Sequence, residues 1–307
     1  MMARPEVIRK GRVPTTFWKR VQKKYGRTWN EYALARRKER FRRKEGVPSE
    51  SRVAFVFGCQ RSGTNMTLRV LARSMDVDYV EESDARAFVK CRIVDTATCC
   101  ALVDRSTARC VIFKPICDSH RALELYGQYA NSRGIWIYRD YRDVANSAVE
   151  YWGDQSLSYM RDLFEGGGDW GFAQWNREGV SEECLSVMRE AAGSQLTVHE
   201  AAALFWYMRN RTFFEQQLDQ NPRTLLTRYE DVVTEPAREF ERMCTFLDLR
   251  YSSEMVSGVF SHSLRKRSFP DSNERVTKLC DDMLARLNAV RAGSGEPLPA
   301  STCRQHQ

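Results

Sequence analysis

A chain of 307 residues, 42% of them hydrophobic, is long enough to bury a large α/β core. No window reaches the roughly 18 to 20 apolar residues of a membrane span, and the opening Met1-Met2-Ala3-Arg4-Pro5 has no apolar core of signal-peptide length, so the expected location is cytoplasmic. Ten cysteines without paired C-x-x-C spacing and four scattered histidines exclude a disulfide framework and offer no metal-ligand pattern, which fits free thiols in a reducing compartment.

The net charge of +8 belongs to one end of the chain: residues 1–50 carry about 16 Lys and Arg against about 5 Asp and Glu, and the remainder is slightly acidic. Within that segment Thr16–Tyr25 and Trp29–Ala35 place aromatic and aliphatic residues at helical spacing, and Arg36–Glu45 is almost wholly charged. The pattern predicts a basic N-terminal helical arm over residues 1–50. Its helices either pack an apolar stripe on the main domain with the basic residues in water, or offer those residues to an acidic partner, an anionic acceptor or a membrane surface. No nucleic-acid-binding motif accompanies them.

From Val53 to Phe57 an apolar run rich in aromatic and β-branched residues reads as a buried strand of a parallel sheet. It breaks at Gly58 into Cys59-Gln60-Arg61-Ser62-Gly63, and a helical pattern follows from Thr64 to Met75. The two glycines let backbone N–H groups turn inward, and the N-terminus of the helix adds positive potential at the same point, so the loop is built for an anion. Gly58 and Gly63 have the spacing of G-x-x-x-x-G-K-[ST], but Thr64 and Asn65 stand where the nucleotide-binding lysine and magnesium hydroxyl belong. The one cation is Arg61. A basic residue ahead of Ser62-Gly63-Thr64 after a first strand resembles the 5′-phosphosulfate loop of the sulfotransferases. The resemblance implies a three-layer P-loop-like α/β fold, a central parallel sheet flanked by helices, that holds 3′-phosphoadenosine 5′-phosphosulfate (PAPS) without a metal.

Val77–Val80 reads as a second strand running into Glu81, Glu82, Ser83 and Asp84, with a helix expected from Ala85. Ligands of open parallel sheets bind beyond the carboxyl ends of the strands, which puts these acids near a transferred group; the alternative is that Ser83 or Asp84 caps the helix while the glutamates face water. A third strand, Arg109–Phe113, delivers Lys114 to the same end and is stopped by Pro115. Several sulfotransferases carry a catalytic histidine two residues after this lysine; here that position is Ile116. His120 follows, with Asp118 or Ser119 as the expected N-cap of a helix through Tyr129.

Gly134–Tyr138 is the next strand, closed by Arg139, with Ser147 eight residues on in the first turns of a helix. Both can approach one anion from two elements. The arrangement resembles the family's 3′-phosphate motif, Arg-x-Pro-x-Asp-x-x-x-Ser, in Arg139, Asp143 and Ser147, with Tyr141 replacing the proline. Asp143 reads as a helix-start cap, since a carboxylate repels a phosphate; a salt bridge from Arg139 to a local aspartate is the structural alternative.

Residues 154–179, with Gly166-Gly167-Gly168, read as a loop over an acceptor pocket, and helical patterns resume at Ser181 and Thr197. The second contains Ala201–Arg209, whose aromatics at helical spacing fit a core. Arg223–Val232 and the helix after Pro236 resemble the family's last core strand, its Tyr-Glu-Asp segment and the helix behind it, with Tyr229, Glu230 and Asp231 in structural roles. Arg265-Lys266 resembles the segment that closes the 3′-phosphate, though Arg267 stands where the family has glycine. A final helix is expected from about Asn273 to Val290, and the tail over residues 293–307 reads as mobile.

The expected organisation is thus a basic arm (1–50), a sulfotransferase-like α/β domain (51–292) and a tail (293–307). The resemblance implies transfer of a sulfuryl group from PAPS, leaving adenosine 3′,5′-bisphosphate, to a hydroxyl or less readily an amine of an acceptor that can be a carbohydrate, lipid, peptide or small molecule. Arg61, Ser62, Gly63, Thr64, Asn65, Arg139, Ser147, Arg265 and Lys266 would hold the donor. Arg61 and Lys114 would stabilise charge, and Glu82 is the first candidate base, with Glu81 and His120 behind it. Two other readings stay open. One is a P-loop nucleotide kinase-like enzyme, which the missing lysine disfavours; the other is an inactive nucleotide-binding or scaffold protein, which the missing histidine favours.

Overall fold

The computed structural model describes residues 32–46, 48, 50–165, 177–259, 268–270 and 272–293. The chain divides into two compact units at Gly46. In the first, residues 32–45 form helix α1, along which Arg36 donates to the Tyr32 hydroxyl at 3.0 Å and Arg43 pairs with Glu39 one turn away at 2.6 Å. The earlier part of the expected arm lies outside the described residues.

The second unit is organised by a five-stranded sheet in the order β2-β5-β1-β6-β7, every neighbouring pair parallel. Its strands are β1 (Arg52–Gly58), β2 (Val77–Val80), β5 (Cys110–Phe113), β6 (Arg133–Tyr138) and β7 (Thr224–Arg228). Because successive side chains point to opposite faces, each strand feeds two cores. Phe55, Phe57, Phe113, Trp136 and Tyr138 enter one; Ala54, Val56, Ile112, Ile135 and Ile137 enter the other. Helices α3 (Thr96–Asp104), α4 (Ala122–Gln128), α5 (Tyr141–Trp152), α6 (Gln155–Glu165), α7 (Glu182–Ala192), α8 (Val198–Glu215) and α11 (Glu274–Gly293) cover the first face. Helices α2 (Thr64–Leu71), α9 (Tyr229–Thr234) and α10 (Pro236–Leu247) cover the second. This is the expected three-layer α/β fold. The chain leaves β1 for β2 and then β5 on one side and places β6 and β7 on the other, so the crevice at the carboxyl end of β1 is where the strand order reverses.

Several local expectations are corrected. Helix α2 stops at Leu71, not Met75. No helix starts at Ala85. Asp84 instead binds the Arg86 backbone N–H and side chain, and the chain turns through Lys90 and Cys91, both at positive φ, into an antiparallel hairpin of β3 (Phe88–Val89) and β4 (Arg92–Ile93). Ile116–Arg121 forms a 3-10 turn before α4, and Asp118 caps nothing. Its fully buried carboxylate accepts from Arg92 (2.6 Å), Arg121 (3.1 Å) and the Ile93 N–H (2.8 Å), tying the hairpin to the turn. The segment from residue 154 is helical through α6, which buries Met160 and Leu163 three residues apart; residues 166–176 lie outside the described set. Among the described residues no helix is long and apolar enough to cross a membrane.

Candidate functional site

The carboxyl ends of β1, β2, β5, β6 and β7 deliver Arg61, Glu82, Lys114, Arg139 and Tyr229 to one rim of the sheet. The loop after β1 is possible only with glycine at both ends. A Cβ on Gly58 (φ +135°) would lie 2.3 Å from the Ile137 carbonyl oxygen, and one on Gly63 (φ +92°) would lie 2.1 Å from the Tyr229 ring. Gly63 is the N-cap of α2 and supplies no side-chain cap, so the first amides of the helix face the cleft with Thr64, Asn65 and Met66. Ser62 is fully buried beneath the loop, its hydroxyl beside the Cys59 thiol, and does not line the cleft.

That loop forms one wall of a cleft of about 530 Å³, whose other wall is Arg139, Asp143, Asn146, Ser147, Glu150 and Tyr151. Arg139 leaves the end of β6 and is placed three times over. Its carbonyl accepts from the Trp206 indole at 2.9 Å, its guanidinium lies 4.7 Å over the Tyr229 ring, and it donates to Asp143 at 3.0 Å. The salt bridge weighed in the sequence is therefore present, and the helix cap is Asp140, which accepts from the Arg142 N–H at 2.9 Å. Glu230 fixes the turn by accepting from the Asp140 N–H at 2.9 Å, a structural role; burial pushes its carboxyl above the ordinary value. Arg61, itself at φ +68°, crosses the cleft: its Nε donates to Ser147 Oγ at 3.0 Å and its guanidinium lies 4.6 Å from the centre of the Tyr151 ring.

A second cleft of about 580 Å³ shares Arg61, Thr64, Asn65 and Tyr151 with the first. Here Glu82 and Lys114 meet at 2.6 Å, the lysine only 3% exposed, and Glu82 also accepts from the Cys117 N–H at 3.4 Å. The remaining lining includes Gln60, Ile116, Trp152, Tyr159 and Phe205. Cys91 and Cys117 line it too, but burial pushes both thiols up, so neither is a ready nucleophile. Behind it Arg209, fully buried, donates to the Ile116 carbonyl at 2.7 Å, and burial lowers its own pKa.

Arg61, Gly63, Thr64, Asn65, Arg139 and Ser147 thus meet in one cleft, and Glu82 and Lys114 in the adjoining one. Glu81 and His120 line neither. His120 is buried beside Glu178, 3.5 Å away, and burial, together with the Arg209 charge, lowers its pKa to about 4. Arg265 and Lys266 lie outside the described residues. Sequence reasoning missed Tyr151, Trp152 and Phe205. Tyr151 was visible in principle, one helical turn after Ser147 and so on the same face.

The model of the sulfotransferase domain matches residues 52–278. No curated protein matches the chain. Among solved structures, a sulfotransferase from Alicyclobacillus acidocaldarius is 17% identical, with 78% of this chain and 95% of that one covered and a TM-score of 0.47. The sulfotransferase domain of the Synechococcus PCC 7002 olefin synthase is 14% identical, with 78% and 98% covered and a TM-score of 0.46. A mouse sulfotransferase complexed with PAP is 11% identical, with 82% and 91% covered and a TM-score of 0.42. A family match that runs from the first residue of β1 into α11, and so spans both clefts, makes this chain a member of the sulfotransferase family.

Proposed function

We propose that the protein transfers the sulfuryl group of PAPS to the hydroxyl of an acceptor, with the donor in the cleft between the loop and α5 and the acceptor in the cleft at Glu82. The observation that supports this is that one cleft is lined by two separate sets of groups suited to anions. The α2 N-terminus with Arg61 suits a phosphosulfate, and Arg139 with Ser147 suits a second phosphate, which an ordinary nucleoside triphosphate does not have.

The N-terminus of α2, with no side-chain cap, fits such a donor. When bound, it supplies the sulfuryl group and departs as adenosine 3′,5′-bisphosphate. The remaining chemistry belongs to the chain. Arg139, steadied by Asp143 and Tyr229, and Ser147 orient the distal phosphate. Arg61, at the seam of both clefts, and Lys114 offset charge at the reacting end, where one such preorganised donor is commonly worth about 3 to 4 kcal/mol. A carboxylate oxygen of Glu82 takes the proton of the acceptor hydroxyl as its oxygen takes the sulfuryl group, in the role a histidine would have at Ile116.

Labelled sulfate from PAPS should reach acceptors in a broad panel with EDTA present. Labelled phosphate transfer from ATP with magnesium, without sulfate transfer, would overturn this reading in favour of a kinase. Tight binding of adenosine 3′,5′-bisphosphate with no turnover would leave a binding protein.

A further inference from the structure

Helix α1 carries charge that sulfuryl transfer does not use. Arg36, Arg37, Arg40, Arg43 and Lys44 are all exposed. With about 3.6 residues per turn they fall within an arc of about 120° over a length of about 12 Å. The other side of the helix holds Lys38 and Arg42, both buried, and Leu34 and Phe41, both half-buried. The exposed face therefore presents cations alone, and the carboxylate at its edge, Glu39, is bonded to Arg43 at 2.6 Å.

Such a face costs the helix stability. Arg36 and Arg40, and Arg40 and Lys44, are like charges four residues apart; Arg40 also has Arg37 and Arg43 three residues away. Each of these pairs opposes helix formation, where Glu39 and Arg43 support it. An anionic surface laid against the face would turn that repulsion into binding.

The kind of surface follows from what the face lacks. A straight row of cations has no groove with which to read a shape, and a sheet of acidic headgroups asks only for a density of positive charge. In the sequence before α1, Phe17-Trp18-Lys19-Arg20 and Lys23-Lys24-Tyr25 mix aromatic and basic residues as segments that lie in a membrane interface do. No nucleic-acid-binding motif accompanies them. Among the described residues no helix is long and apolar enough to cross a bilayer, so the attachment these residues suit is peripheral.

We propose that the exposed face of α1 docks the protein on an anionic membrane surface, its cations set among the acidic headgroups. The proposal stands apart from the sulfuryl-transfer reading and survives if that reading fails.

The test is sedimentation of the full chain with phosphatidylcholine vesicles, with and without about 30% phosphatidylserine, at about 0.1 M and about 0.5 M salt. The expected result is binding to the phosphatidylserine vesicles alone, lost at the higher salt. Replacing Arg36, Arg40, Arg43 and Lys44 together by glutamine, which keeps helix propensity, should weaken binding about a hundredfold or more. The combined variant Arg36→Lys, Arg40→Lys, Arg43→Lys retains the charge and should bind within about threefold of the wild type. Equal binding to the two kinds of vesicle, undiminished binding by the glutamine variant, or a loss in the lysine variant as large as in the glutamine one overturns the proposal. Tighter binding of duplex DNA or of heparin than of the anionic vesicles, in the same buffer, overturns it too.

Discussion

Glu82 faces the second cleft with Lys114, buried at the end of β5, holding its carboxylate at 2.6 Å. Glu82→Gln keeps the shape of the side chain and removes its basicity, so kcat should fall by about 10² or more while calorimetric affinity for adenosine 3′,5′-bisphosphate stays unchanged. Wild-type turnover in this variant would remove Glu82 as the base. At this scale the sequence was most informative about which side chains share the rim. Arg139 and Ser147 sit at a strand end and on the next helix, and Arg61 inside a glycine-bracketed loop, so local spacing alone brings them to one rim. His120 misled because its fate depends on residues far along the chain: Arg209 on α8 and Glu178 enclose it. The Glu82–Lys114 pair joins two strand ends, and only the parallel β2–β5 register makes them neighbours.

Helix α8 begins with a capping box: Thr197 Oγ1 accepts from the Glu200 N–H at 3.2 Å and Glu200 accepts in return from the Thr197 N–H at 2.7 Å. Glu200 also accepts from the Asn273 N–H at 2.6 Å, so the same carboxylate fixes the start of α11. Thr197→Ala should cost about 1 kcal/mol in urea unfolding. An unchanged midpoint would mean that α8 is held by packing alone. The starts of α7 and α8 were legible because Ser181 and Thr197 announce them chemically. The hairpin of β3 and β4 was not, since its strands are two residues each and its turn uses Lys90 and Cys91 at positive φ, residue types that give no turn signal. Helix α6 does carry one apolar stripe, Leu157, Met160, Leu163 and Phe164, which packs on the core, but the Gly166-Gly167-Gly168 run that follows it reads as loop; Tyr159 meets Phe205 of α8. In the same way the aromatics of α8 divide, with Trp206 in the core and Phe205 on the cleft.

Across the whole domain, the start of β2, the start of β5 and the chain after α10 are pinned by one carboxylate. Asp76 is buried beside the Arg250 guanidinium, whose Nε donates to it at 2.9 Å, and Arg109 lies 3.7 Å away. Burial alone would raise its pKa, but the bonds from Arg250 outweigh this and leave it lowered. A carboxylate with a lowered folded-state pKa contributes stability that is complete above its unfolded value, about 3.9, and is lost as pH falls through the folded value. Thermal unfolding should therefore move to lower temperature as the solution is acidified below about pH 4, and Asp76→Asn should flatten that dependence while costing about 2 kcal/mol near neutrality. An acid limb identical in the variant would assign the effect to other groups. The sheet's alternating strands made the α/β class legible, and the two-sided burial of Phe55 and Val56 explains why β1 reads as a continuous apolar run rather than an alternating one. The second cleft was not legible as a unit, because it gathers residues from the loop after β1, α2, the ends of β2 and β5, the hairpin turn, α5, α6 and α8. The cleft between the β1 loop and α5, proposed to hold the donor, is the part on which the functional account depends. Calorimetry comparing adenosine 3′,5′-bisphosphate with adenosine 5′-monophosphate tests it most directly. The account predicts about tenfold or greater preference for the bisphosphate, abolished in Arg139→Ala; equal affinity of the wild-type protein for the two nucleotides would contradict it.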